Sequence, residues 1–230
     1  MTHQRDRGTT TRRALVVLVC GAAAIASVAL ASAQRAPATE TAFDELYRRG
    51  QAANAGLKTL TARFTETTTS ALLTKPIVER GTLSMQRPST VVLHYSVPEA
   101  RTVLIDGGRL IVSWPGRNIH QARNIGQMQG RVQKSFVDSD PDELRKSFDI
   151  TVSDSEQRSG ADHVVLLPKR QQIREGLTRL DLWIDRTSLL LAAMRMTFAN
   201  GDTKLMTLED VVPNATLAPG TFARPQQMPR

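Results

Sequence analysis

Cysteine is almost missing from this chain. The single one, Cys20, lies inside an apolar N-terminal stretch and is preceded by Val19 rather than by the small residue that lipidation at a cysteine requires. Once that stretch is removed, no disulfide, thiolate nucleophile or thiolate metal site is available. Aromatic residues are few, with two Trp, two Tyr and six Phe, and the basic residues are scattered rather than interleaved with them. That excludes the stacking groove of a single-strand nucleic-acid binder. Histidine is scarce too: beyond the N-terminal stretch only His94, His120 and His163 remain, at spacings that suit no metal. G-x-S-x-G, H-E-x-x-H, phosphate-cradling and dinucleotide-binding glycine motifs are absent. Little is left on which to build an enzyme, and the sequence predicts no cofactor.

What is present begins with an export signal. Four arginines and one aspartate precede an uncharged run from Ala14 to Ala33, which closes on Ala31-Ser32-Ala33. This is a basic n-region, an apolar core and a small-x-small cleavage site, with the cut expected after Ala33. Retention of the run as a membrane anchor is the alternative. Arg12-Arg13 hints at twin-arginine export and leaves the route open. The chain of 230 residues carries a formal charge of +8, and loss of those four arginines and one aspartate leaves +5. In an exported protein such a surplus favours acidic partners or anionic headgroups over nucleic acid.

Residues 34–41 read as a flexible leader and 224–230 as a disordered tail, leaving one domain over 42–223. Thr41 and Asp44 form a capping box ahead of Phe43, Leu46, Tyr47 and Ala53 at helical spacing, so a helix is expected from Ala42 to Ala55, ended by Gly56. A helix this short is stable only if its apolar face docks. From Leu60 the period becomes two: Ala62, Phe64 and Glu66 face one way, Arg63, Thr65 and Thr67 the other. Further strands are expected near Ile77–Met85, Val91–Tyr95, Val103–Ile105, Leu110–Trp114 and Asn118–Arg123. Short helices and loops occupy Gln127–Ser147, with a helix start at Asp140-Pro141. Five more strands follow, the last two joined at Asn200-Gly201. The total is ten or eleven strands in consecutive hairpins, a mainly β meander. Leu180, Leu182 and Ile184 share a face, matched by Leu190, Ala192, Met194, Met196 and Phe198. Asp181 and Asp185 then fall on a solvated outer face. One helix and a short helical segment are too little to seal so large a sheet, which predicts an open apolar face or cavity. Met85, Met128, Met194, Met196 and Met206 suit an adaptable ligand surface, or are simply core.

In this ordered set the sequence resembles the periplasmic outer-membrane lipoprotein carriers of LolA type. Leu60-Thr-Ala-Arg-Phe64-Thr-Glu66 is similar to the family's L-x-A-x-F-x-Q strand. Gly81-Thr-Leu83 with Gln86-Arg87-Pro88 is similar to G-x-L…R-P, and Tyr95-Ser-Val-Pro98 with Asp106-Gly107 to Y-x-x-P…D-G. Leu166-Leu-Pro168, Asn200-Gly201, Asn214 and Phe222 continue the order. The departures are Glu66 in place of Gln, and Val91 and Leu93 where many relatives carry aromatics.

The resemblance implies an incomplete antiparallel β-barrel of about eleven strands, with an N-terminal helix and a central helical segment as a lid over a hydrophobic cavity. It implies a monomeric carrier of acylated lipoproteins, loaded by an inner-membrane ATP-driven transporter and unloaded onto an outer-membrane acceptor. It also gives Arg87, beside Pro88, the role of lid latch. On that reading Phe43, Leu46 and Tyr47 cover a lining made by Phe64, Leu83, Met85, Leu93, Tyr95, Val103 and Ile105. Leu182, Ile184, Met194 and Met196 complete it. Two other classes stay open: a lipid- or glycolipid-binding or regulatory module on the same fold, and a hydrolase. The sign of the hydrolase would be a buried Ser-His or Asp-His pair.

Overall fold

The computed structural model describes residues 41–125 and 141–225. The expected signal peptide with its cleavage site at Ala33, the leader up to residue 40 and Met128 lie outside the described residues. Each alternating segment forms a strand: β1 (Thr59–Thr69), β2 (Ile77–Gln86), β3 (Thr90–Val97), β4 (Arg101–Asp106), β5 (Arg109–Trp114) and β6 (Ile119–Asn124) in the first half. The second half supplies β7 (Phe148–Asp154), β8 (Ala161–Pro168), β9 (Leu177–Asp185), β10 (Leu191–Phe198) and β11 (Thr203–Pro213). The turn chemistry follows the sequence. Gly107 and Gly108 both take positive φ (54° and 78°), as a two-residue hairpin between β4 and β5 requires. Gly201 (φ 85°) closes a three-residue loop between β10 and β11, where the Phe198 amide donates to the Asp202 carbonyl at 2.9 Å.

All eleven strands form one antiparallel sheet, in the order β6-β5-β4-β3-β2-β1-β11-β10-β9-β8-β7. The expected single run of hairpins is corrected here. There are two meanders, joined at the centre by pairing of β1 with β11, and the consecutive strands β6 and β7 stand at opposite edges. Turn signals report neighbours in sequence, whereas the β1–β11 pair is set by tertiary packing. The two edges do not pair with each other, so the barrel is incomplete.

Helix α1 (Ala42–Ala53) starts at the expected capping box: the Asp44 amide donates to Thr41 Oγ1 and the Thr41 amide to Asp44 Oδ2. It stops at Asn54, two residues before Gly56. The Asn54 side chain donates to the Gly50 carbonyl and, across the fold, to the Leu189 carbonyl at 3.1 Å, which fixes the helix end before the glycine is reached. Helix α2 (Pro141–Ser147) follows the anticipated opening, with acids in its first turn and bases in its last. Helix α3 (Gln171–Arg174), between β8 and β9, had no sequence signal. Arg224, assigned to the tail, bonds Asp106 at 3.1 Å.

Candidate binding groove

Cross-strand register assigns every strand side chain to one of two faces. The inner face is the one that carries α1. Leu46 of the helix is buried with Phe148, Val164, Leu166 and Leu180. Leu182, Ile184, Met194 and Met196 pack around this cluster, together with Phe43. Following the pairs from Met194 through Met206, Glu66, Glu79 and onward places Phe64, Leu83, Met85, Leu93, Tyr95, Val103 and Ile105 on the same face. All the strand residues singled out from the sequence therefore share one side of the sheet.

The helix does not cover them equally. Its cluster lies over β7–β10, so Leu182 is beneath it as expected, whereas Phe64, Leu83, Leu93, Val103 and Ile105 are outside the cluster. Leu83 and Met85 pack instead with Leu57, Leu60 and Ala62 beyond the helix end. Tyr47 is half-buried, tilted against Phe43 at 6.0 Å between ring centres.

On β3–β5 the two faces exchange their expected roles. The aliphatic residues buried there are Val92, Leu104 and Ile111, on the outer face, sealed by Phe222 of the chain after β11, while on the inner face the buried residue is Tyr95. Their inner-face neighbours Val91, Leu93, Val103, Ile105, Leu110 and Val112 are all only half-buried and, among the described residues, belong to none of the buried clusters. These strands are apolar on both sides, as strands covered on both faces are. A shallow recess of about 490 Å³ between Thr59, Gln86 and the segment Leu217–Ala223 lies under the C-terminal chain, separate from this aliphatic surface.

The lid is tied at its N-terminus. Arg145 of α2 donates to Asp44 Oδ1 and to Thr41 Oγ1, each at 2.7 Å, and stands over the Phe43 ring. The Thr41 hydroxyl above all, with the Arg145 guanidinium and the Thr41 amide adding to it, holds the Asp44 carboxyl below its ordinary pKa against the opposing effect of burial. Arg87 sits in the β2–β3 turn at the opposite end, with Pro88 next to it in a cis peptide. Its amide donates to the Lys58 carbonyl at 2.8 Å, and its side chain is exposed, making no hydrogen bond or ion pair among the described residues.

The inner face also carries a polar set, of which the sequence alone singles out Tyr95 as lining and gives Glu66 only a side. Glu66 is 3% exposed; it accepts from the Tyr95 hydroxyl at 3.2 Å and from Lys204 Nζ at 2.7 Å. Arg101 lies 3.8 Å over the Tyr95 ring and pairs with Glu79 at 3.2 Å. Burial, then the Glu66 charge, push the Tyr95 hydroxyl up to about 12, against the opposing effect of Arg101.

On the outer face, Asp181 corrects another expectation: it is 1% exposed, not solvated. His163, stacked flat on Trp183 at 4.8 Å, reaches Asp181 Oδ1 at 2.8 Å, while Arg179 grips both carboxylate oxygens. Burial raises the Asp181 pKa, but the hydrogen bonds from Arg179 and His163 and the charges of Arg179 and Arg195 outweigh it and leave the pKa lowered. An Asp-His pair is thus present where none was expected. Among the described residues no serine or threonine hydroxyl bonds His163, and the pair covers Trp183, with Arg158 and Arg195 over the indole. Asp185 spends its carboxylate on the Thr187 and Ser188 amides of the β9–β10 turn. Among the described residues no group of three or more His, Cys, Asp or Glu side chains could hold a metal ion. Among them too, no helix is long and apolar enough to cross a membrane.

An open antiparallel sheet, apolar on its inner face and helically lidded over only part of it, defines a half-barrel of the lipid-binding carrier class. The chain belongs to the outer-membrane lipoprotein carrier family: the family model described as "Outer membrane lipoprotein carrier protein LolA" matches residues 55–225. Two outer-membrane lipoprotein carrier proteins of Pseudomonas fluorescens, from strains Pf-5 and Pf0-1, are 25% and 24% identical over 159 residues. Each alignment spans 69% of this chain and 68% of the relative. Among solved structures, an uncharacterized conserved protein from Thermus thermophilus aligns with TM-score 0.53 at 8% identity, covering 81% of this chain and 96% of that one. The Pseudomonas aeruginosa MucA/MucB complex gives 0.51 at 14% identity, covering 79% of this chain and 60% of the other. At those identities the likeness is one of fold.

Proposed function

We propose that the protein is a periplasmic carrier. It takes acylated lipoproteins from an inner-membrane ATP-driven transporter, shelters their acyl chains on its inner face, and passes them to an outer-membrane acceptor. It works as a monomer, without cofactor and without covalent chemistry. The observation that carries this reading is the aliphatic surface of Val91, Leu93, Val103, Ile105, Leu110 and Val112, left half-buried on a sheet whose other face is already sealed. Burying one methylene contributes about 0.8 kcal/mol, so an acyl chain of about 16 carbons represents roughly 12 kcal/mol of exposure in water. A triacylated protein needs such a shelter to cross an aqueous space. A carrier must also let go, and a lid whose own contacts are exchanged for cargo contacts keeps net affinity moderate.

In this scheme α1 is the lid and Arg87 its latch. Supporting this are the Arg87 position, at the same end of the sheet as the helix C-terminus, and its uncommitted guanidinium with five donors in fixed geometry. The test is an Arg87→Leu variant, with native mass spectrometry of protein isolated from its own periplasm. The wild type is expected to carry lipoprotein and deliver it; the variant is expected to melt at the wild-type temperature, load cargo and retain it. Normal delivery by the variant would remove the latch. A wild-type spectrum showing only phospholipid or glycolipid would replace lipoprotein transport with a lipid-binding role.

A further inference from the structure

We propose that Glu66, Lys204, Tyr95, Arg101 and Glu79 form a polar seat in the groove. The seat holds the neutral amide or ester linkage of an acyl ligand and discriminates against a free carboxylate. This rests on the inner face being the ligand surface.

Five strands contribute one residue each: β1 Glu66, β2 Glu79, β3 Tyr95, β4 Arg101 and β11 Lys204. The register places all five on the inner face, in neighbouring rows. Glu66 and Tyr95 lie buried at the base, while the side chains of Lys204, Arg101 and Glu79 are 31%, 20% and 16% exposed, so their heads reach the groove. The set has donors and acceptors to spare. Lys204 Nζ uses one of its three protons on Glu66. Arg101 Nε is buried without a partner among the described residues, so a ligand meets the guanidinium through its terminal nitrogens.

The charge balance decides the ligand class. Two carboxylates face two cations, so the seat is formally neutral. An incoming carboxylate gains little from Lys204 and Arg101 that Glu66 and Glu79 do not offset, and it loses its hydration. A carbonyl carries no such cost and can accept from either cation, and an amide N–H can donate to Glu79 as well. The tail has its place on the same strands. From Tyr95 and Arg101 the next inner-face pairs are Leu93–Val103 and Val91–Ile105. The four steps along the strand from Arg101 to Ile105 span about 13 Å of aliphatic surface. The ligand would then lie along β3 and β4, linkage at the seat and tail toward the β4–β5 hairpin.

The test uses the purified protein loaded with the nonpolar dye diphenylhexatriene, displaced in turn by palmitamide, methyl palmitate and palmitate at pH 8. Wild type is expected to prefer palmitamide over palmitate about tenfold, the equivalent of one charge-assisted hydrogen bond. The variant Glu66→Gln leaves the seat with one net positive charge and preserves a partner for Tyr95, and its palmitamide-to-palmitate ratio should fall to near one. Lys204→Arg should keep the preference. Equal affinities in wild type overturn the proposal, and so does a Glu66→Gln variant that keeps the tenfold ratio. Failure of the wild type to take up the dye at all would instead overturn the groove reading beneath it.

Discussion

Phe64 on β1 and Tyr95 on β3 meet edge to face at 4.8 Å between ring centres, although strand β2 runs between them. They can do so because the β2 residue in their row is Gly81, which the register pairs with both. A Cβ built on Gly81 would stand 2.0 Å from the His94 carbonyl oxygen and 2.8 Å from the Phe64 ring.

Gly81→Ala is therefore expected to destabilise the fold by about 3 kcal/mol, at the upper end of overpacking costs, because one of the colliding atoms is backbone. Urea denaturation measures it. A midpoint within error of wild type would mean that β2 and β3 separate without penalty.

Tyr95 links this contact to pH. The folded protein holds its hydroxyl at about 12 against an ordinary 10.0, so between those values the native state binds the proton that the unfolded chain has lost. Stability is then full below pH 10 and declines as pH rises toward 12, by on the order of 2 to 3 kcal/mol. Denaturant titrations between pH 9 and pH 12 should show this slope in wild type and a flatter one in Tyr95→Phe. Equal slopes would mean that the hydroxyl is not confined by Glu66 and its surroundings.

Asp181 has the opposite sign. Its folded pKa is lowered, so its contribution is present above the ordinary carboxylate value of 3.8 and is lost as pH falls through the folded value. Asp181→Asn removes the charge between Arg179, His163 and Arg195 and is expected to cost about 3 kcal/mol at neutral pH. The difference from wild type should shrink in acid. A neutral-pH melting point equal to wild type would show that the cations do not need it.

Much of the candidate site was legible because sidedness in a strand is a local property. Leu93, Val103 and Ile105 alternate with His94 and Leu104, and that alternation alone puts them together once hairpin turns fix the register. Gly81 could be read as a motif letter, but its reason could not, since the atoms it avoids belong to His94 and Phe64. Glu66 could be assigned to a side but not to its partners: Tyr95 is 29 positions away and Lys204 is 138. Asp181 looked solvated because its covering groups come from β8, β9 and β10 together.

The sequence by itself placed ten or eleven strands, most of their turns and the shared side of the lining residues, because period-two alternation and glycine-bearing hairpins act over a few residues. Only the tertiary structure decided which apolar face is shut and which is left open. Burial depends on what arrives from elsewhere in the chain: Phe222 over Leu104 on one side, Leu46 over Leu166 on the other. Nothing within β3 to β5 encodes that their inner aliphatics escape both.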